Sequence, residues 1–241
     1  MPSNTYVALS GLVALNRRLE SIAHNVSNAN TAGFRADGVK FDTLLTRRGD
    51  ADVAYASEGL DYISRRAGPV TRTGNPLDVA VAGEGFFAVQ TPQGVAYTRD
   101  GRLQMNETGE LRSLNGFPVL DAGGAPLMVD PAGGPPDISR DGMMTQGGRQ
   151  VGAIGLFGID PDAKLTRAEN SGVVPDRPAT PILDFSANGV LQGHAEGSNV
   201  DPVTEMTRLI AVQRAFENIS AGLDMADATQ GDAIKSLGAT S

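Results

Sequence analysis

The 241-residue sequence predicts a mainly β fold with α-helical termini: an antiparallel β domain inserted between N- and C-terminal heptad helices that pair as a coiled coil. Three observations carry this. Apolar residues recur with alternating three- and four-residue spacing at both ends of the chain and nowhere between. Of the 14 prolines, 13 lie between Pro69 and Pro202, which excludes long helices there. In that same stretch short strand-like runs alternate with glycine-containing turn dipeptides. The expected divisions are a helix and loop over 1–36, an extended connector over 37–72, the β domain over 73–190 and the second helix over 191–241.

The N-terminal helix is read from Ala8, Leu12, Leu15, Leu19, Ile22 and Val26, which share one narrow stripe. Asn16, Arg17, Arg18 and Glu20 lie opposite as ordinary solvated positions. A break is expected near 27–33, where Asn and Ser compete for backbone hydrogen bonds and Gly33 permits positive φ. Residues 37–70 lack a clear period and hold Arg47-Arg48 and Arg65-Arg66, hence the reading of a connector.

Strands are expected at Leu77–Ala82, Phe86–Gln90, Val95–Arg99, Leu103–Met105 and Phe117–Leu120. The turns between them fall at Gln93-Gly94, Asp100-Gly101, Thr108-Gly109, Asn115-Gly116 and Gly123-Gly124. A second set, Val151–Ile159 and Ala179–Phe185, follows a Pro/Gly linker around Pro131–Pro136 and completes the domain.

The C-terminal helix opens with Asn199 or Asp201 as cap, Pro202 in the first turn and Glu205 favouring the positive end of the dipole. Its stripe runs Leu209, Val212, Phe216, Ile219, Leu223, Ala226, Gln230, Ala233 and Leu237. A helix of roughly 35 residues extends about 50 Å. Gly222 and Gly231 each weaken it by roughly 1 kcal/mol relative to Ala, so packing has to hold it.

Composition narrows the function. Net charge is −8, with +2 over residues 1–72 and −10 over the remainder, and an acidic body argues against nucleic acid as a partner. No apolar run reaches membrane-spanning length, and the N-terminus lacks a basic region followed by an apolar segment and a cleavage site, so export with cleavage is not expected. Zero cysteine removes disulfides, thiolate metal sites and cysteine nucleophiles together.

Catalytic patterns are weak. His24 and His194 belong to no metal-ligand spacing, and neither a phosphate loop nor Gly-x-Ser-x-Gly is present. Asp100, Glu107 and Asp121 are the candidate carboxylates for a glycosidase-like pair, yet each sits in a turn where an acidic residue is common anyway.

Three motifs carry a resemblance. Ala23-His24-Asn25-Val26-Ser27-Asn28-Ala29-Asn30-Thr31-Ala32-Gly33-Phe34-Arg35 resembles the N-terminal signature of the bacterial flagellar axial proteins, the rod, hook and hook-associated family, with Arg35 where Lys is commoner. Ser198-Asn199-Val200-Asp201, Glu205-Met206, Ile210 and Gln213-Arg214-Ala215-Phe216-Glu217 resemble its C-terminal signature, with Phe216 where Tyr is frequent. Thr73-Gly74-Asn75-Pro76-Leu77-Asp78-Val79-Ala80-Val81, Gly85-Phe86-Phe87 and Tyr97-Thr98-Arg99-Asp100-Gly101 resemble the start of the β domain in rod and hook members. The length and the ending Asp224–Asp232 look more like a proximal rod member than a hook or distal rod member.

The resemblance implies a structural subunit of the basal-body rod without catalytic role, cofactor, metal or small-molecule substrate. Its terminal helices, poorly ordered in the free subunit, would pack as an inner tube within an outer β layer. The implied partners are proximal and distal rod subunits, copies of itself and the flagellar type III export apparatus. The expected assembly residues are Leu12, Leu15, Leu19, Ile22, Leu209, Val212, Phe216, Ile219 and Leu223. The polar residues Asn25, Asn28, Asn199 and Asp201 carry two open readings, helix-end hydrogen bonding within the chain or contacts between subunits. The competing functions are a distal rod protein, a secreted β-rich carbohydrate enzyme and a soluble binding module.

Overall fold

The computed structural model describes residues 2–48, 51–57, 59–169 and 171–238; side chains at 2–4, 43–48, 51–56, 226, 227, 230 and 232–238 lie outside that description. Two helices bracket the strands, α1 (Pro2–Ser27) and α2 (Pro202–Gly238), and the architecture is mainly antiparallel β between them. The chain divides into two compact units. One comprises residues 1–27, 37–62 and 201–241, and the other residues 28–36 and 63–200.

In the β unit, six strands form an antiparallel sheet in the order Leu165–Arg167, Val173–Pro175, Gly94–Thr98, Phe86–Thr91, Leu156–Gly158 and Thr180–Pro181. Period-two alternation along Phe86–Thr91 explains its position. Phe87 and Val89 enter the main core with Val79, Leu111, Met144 and Ile154, whereas Phe86 and Ala88 face the other side, against Val173 and Leu120 in two smaller clusters. Both faces of this strand are therefore covered, which is why it reads as a nearly continuous apolar run.

Turn chemistry fixes the register. Gly94, Gly109, Gly116 and Gly124 all have positive φ, at the turns expected from sequence. Gly101 is required for another reason, since a Cβ there would lie 1.9 Å from the Val79 carbonyl oxygen. Val70–Arg72 pairs with His194–Glu196 and Val79–Ala82 with Gly189–Gln192, so the last strands before α2 close back on the first strands of the unit.

In the helical unit, α1 packs against α2 and also lies against the strands Asp37–Lys40 and Ala51–Ala56. Residues 43–56, read from sequence within an extended connector, form an antiparallel pair of strands, Thr43–Arg48 with Ala51–Ala56. Asp37–Lys40 pairs with Leu60–Ile63. The sequence does not announce these strands because no alternation of apolar and polar residues marks them. The side chains of Arg47 and Arg48 fall outside the described residues.

Candidate assembly site

The two ends of the chain meet along the expected stripes. On α1, Ile22 is buried and Ala8, Leu12, Leu15, Leu19 and Val26 are half-buried; on α2, Val212 is buried and Leu209, Ile219 and Leu223 are half-buried. The position a Cβ would take on Gly11 lies 3.7 Å from Ile219 Cδ1, which locates one level of the α1–α2 contact. Phe216 keeps 38% of its surface exposed. Side chains of Ala226, Gln230, Ala233 and Leu237 lie outside the described residues.

The polar signature residues bond within the chain. Asn25 is buried at the end of α1 and exchanges two hydrogen bonds with Asp37: its Nδ2 donates to the Asp37 carbonyl at 2.8 Å and its Oδ1 accepts from the Asp37 N–H at 2.8 Å. Asn28 accepts from the Thr31 hydroxyl at 3.2 Å, in the loop that follows the helix. Asp201 caps α2: Oδ1 accepts from the N–H groups of Val203 (3.0 Å) and Thr204 (3.3 Å), and Oδ2 accepts from the Thr204 hydroxyl (2.8 Å). These bonds hold the Asp201 carboxyl below the usual carboxylate range, with the Thr204 hydroxyl the largest influence.

Asn199 is the most heavily engaged of the four. Its Oδ1 accepts from the Ala36 N–H at 2.7 Å, and its Nδ2 donates to Ser64 Oγ at 3.1 Å and the Arg66 carbonyl at 2.7 Å. Its own N–H donates to the Phe34 carbonyl at 3.1 Å. A single amide thus ties together residues 34–36, 64–66 and 199, the stretches through which the chain enters and leaves the β unit.

Beside it lies a charged cluster that sequence reading did not single out, although two of its members fall in the motifs. Glu196, 1% exposed, pairs through Oε1 with Arg35 Nη2 at 2.8 Å and through Oε2 with Arg99 Nη1 at 3.2 Å. It also accepts from the Gly68 N–H at 3.0 Å. Arg35 donates to the Arg66 carbonyl, and Arg99 to the Gly83 carbonyl at 3.1 Å. Arg167 stacks over the Phe34 ring at 4.4 Å and donates to the Arg35 carbonyl at 2.6 Å. Burial pushes the Arg35 guanidinium down to about 10, with Glu196 opposing; Arg99 is lowered by burial too, against Glu196 and Glu84. Two guanidinium groups share one carboxylate, and the Nε atoms of both are buried without a hydrogen-bond partner. No sequence signal distinguishes such a charge from an exposed one, because burial depends on the fold.

The candidate carboxylates serve turns. Asp100 binds Arg102 at 2.8 and 2.7 Å, and Asp121 Oδ1 accepts from the N–H groups of Gly123 and Ala125, both at 2.8 Å. Glu107 is exposed in the turn before Gly109. His24 contacts Asp37 Oδ2 through Nδ1, and His194 Nδ1 lies 2.7 Å from the Gln192 carbonyl oxygen. Among the described residues no group of three or more His, Cys, Asp or Glu is arranged to hold a metal ion.

Comparison with known proteins accords with this geometry. Three family models match in chain order: "Flagella basal body rod protein" over residues 6–35, "Flagellar hook protein FlgE/F/G D1 domain" over 80–151 and "Flagellar basal body rod FlgEFG protein C-terminal" over 191–236. The flagellar basal-body rod protein FlgF of Mesorhizobium japonicum is 51% identical over 241 residues, covering 100% of both chains. FlgF of Rhizobium meliloti is 42% identical with 99% of each chain covered, and the rod protein FlgG of Bacillus subtilis is 28% identical over 94% of this chain and 96% of its own. Full-length identity at this level, with the signature residues built into helix ends and a buried hub rather than a catalytic cleft, means that the chain belongs to the FlgF family of flagellar basal-body rod proteins, which are structural proteins and not enzymes.

Proposed function

We propose that the chain is a structural subunit of the proximal flagellar rod that joins other rod subunits and copies of itself through its paired terminal helices and passes torque along the axis from motor to hook. The observation that carries this is the meeting of α1 and α2, from opposite ends of the sequence, in a unit separate from the β domain. Such a unit offers apolar helix surface to neighbours without disturbing the β core. The nearest alternative in the family, the distal rod protein, has less support, since the FlgG relatives are 28–31% identical against 36–51% for the FlgF ones. Delivery through the flagellar type III apparatus belongs to the same reading and rests on the family alone.

Quantitative mass spectrometry of purified hook–basal bodies tests the assignment. A few copies per particle, in fixed ratio to the other rod subunits, is the expected result. A large excess would reassign the chain to the distal rod, and absence from intact particles would remove it from the rod.

A further inference from the structure

One hydroxyl of the Tyr97–Gly101 motif takes no part in the charged cluster. Thr98, at the end of the strand Gly94–Thr98, is 6% exposed, and its Oγ1 lies 3.1 Å from the Oγ of Ser171, itself 3% exposed. The same Thr98 oxygen accepts from the Asp100 N–H at 3.0 Å. Two hydroxyls bring two protons, and the contact between them uses one. Whichever side chain donates, no other acceptor among the described residues meets the second proton. A buried hydroxyl left in that condition is costly, and folded proteins seldom keep one.

Both hydroxyls line a small cavity beside Val89 and Ala96 of the paired strands, bounded also by the segments 113–117 and 169–172. It offers about 20 Å³ to the centre of a water molecule, where one water needs about 10–15 Å³. An organic ligand takes a pocket of about 300–1,000 Å³, so the occupant is no larger than a water or a bare ion. The Asp100 carboxylate on the cavity wall is already held by Arg102 Nε and Nη2 at 2.8 and 2.7 Å, which leaves little free charge for a metal ion. Ser113 on the same wall accepts from the Phe117 N–H at 3.2 Å and, among the described residues, has its own proton to spare.

We propose that this cavity binds one ordered water, which accepts the spare proton of the Thr98–Ser171 pair. Thr91, Asp100 and Ser113 supply the further polar partners that a buried water needs. The water fastens together three stretches that are distant in sequence: the hairpin of 86–98 and the segments 113–117 and 169–172. It also keeps Thr98 in place. With the spare proton met, neither hydroxyl has to rotate away in search of an acceptor, and the Thr98 oxygen stays on the Asp100 N–H. That bond fixes the backbone that carries Arg99 to Glu196 and lies against Gly33. The inference concerns the interior of the β unit and stands apart from the rod-subunit reading.

The test uses the full chain. Its crystal structure, at a resolution that shows ordered solvent, is expected to contain one solvent peak within hydrogen-bonding distance of Thr98 Oγ1 or Ser171 Oγ. Thr98→Val combined with Ser171→Ala removes both hydroxyls with little change of shape, and the peak is expected to disappear. In solution, oxygen-17 relaxation dispersion counts long-lived waters without interference from exchanging hydroxyl protons, and the double variant is expected to hold one fewer than the parent. Ser171→Ala alone leaves Thr98 free to donate and is expected to keep the water. Absence of the peak from the parent, a peak ligated as a metal ion, or equal counts in the parent and the double variant would each overturn the proposal. The parent crystal decides the matter by itself if the double variant fails to fold.

Discussion

Glu196 holds an uneven position, one carboxylate between the buried guanidinium groups of Arg35 and Arg99. Removing its charge leaves two cations out of water with no counter-ion, and breaking a buried pair in this way costs about 3–5 kcal/mol. Glu196→Gln, nearly isosteric, is expected to lower unfolding free energy by that amount in urea titrations. A loss below about 1 kcal/mol would mean that water reaches the cluster. Gly33 sits nearby with φ of 67°, and a Cβ there would lie 2.2 Å from the Asp100 nitrogen. Gly33→Ala therefore meets both a left-handed backbone and a backbone clash, and a destabilisation of at least about 3 kcal/mol is expected, measured on the same titration. The sequence motifs pointed to Arg35, Asn199 and Gly33 without revealing what they do. Their partners, Glu196, Arg66 and Asp100, lie tens to hundreds of residues distant in the chain, and only the closure of the β unit brings them within bonding range.

Elements differ in how far sequence discloses them. The helices were legible because a stripe with three-four spacing leaves few alternatives, and the turns because glycine with positive φ has a chemical signature. The strands of 43–56 carry neither signal and emerge only from pairing with each other. Gly11 marks where α1 approaches Ile219, and the 3.7 Å spacing accommodates a methyl group as ordinary contact. Gly11→Ala is expected to stabilise the helical unit by about 1 kcal/mol through helix propensity, seen as a raised midpoint of helical circular dichroism. At the start of α2, the lowered carboxyl of Asp201 stabilises the helix above the ordinary carboxylate range, and that contribution is lost as pH falls through its folded value. Asp201→Asn retains an accepting oxygen but not the titration, so acid unfolding of α2 is expected to become less steep below about pH 4. An unchanged profile would remove Asp201 from the acid response.

For the whole molecule, the two compact units, one helical and one mainly β, each have their own packing, and if the helical unit carries assembly as proposed above, folding of the β unit is independent of it. Phe216, on the α2 stripe, keeps 38% of its surface exposed. Phe216→Asp is expected to leave the β unit folded, judged by proteolysis and near-ultraviolet spectra, while incorporation into basal bodies falls at least about tenfold. Normal incorporation and motility would take Phe216 out of the assembly surface. The fold class and the family were open to sequence reading; the allocation of apolar faces was not, because periodicity identifies a stripe without saying whether it faces its own chain or a neighbour. The Asn199 amide closes loops of 163 residues to Ala36 and 133 to Arg66, and its neighbour Glu196 is also among the last residues of the β unit to be made. A chain synthesised N-terminus first holds Ala36, Ser64 and Arg66 unlatched until residue 199 arrives, so the β unit can close only after nearly all of its length has been made.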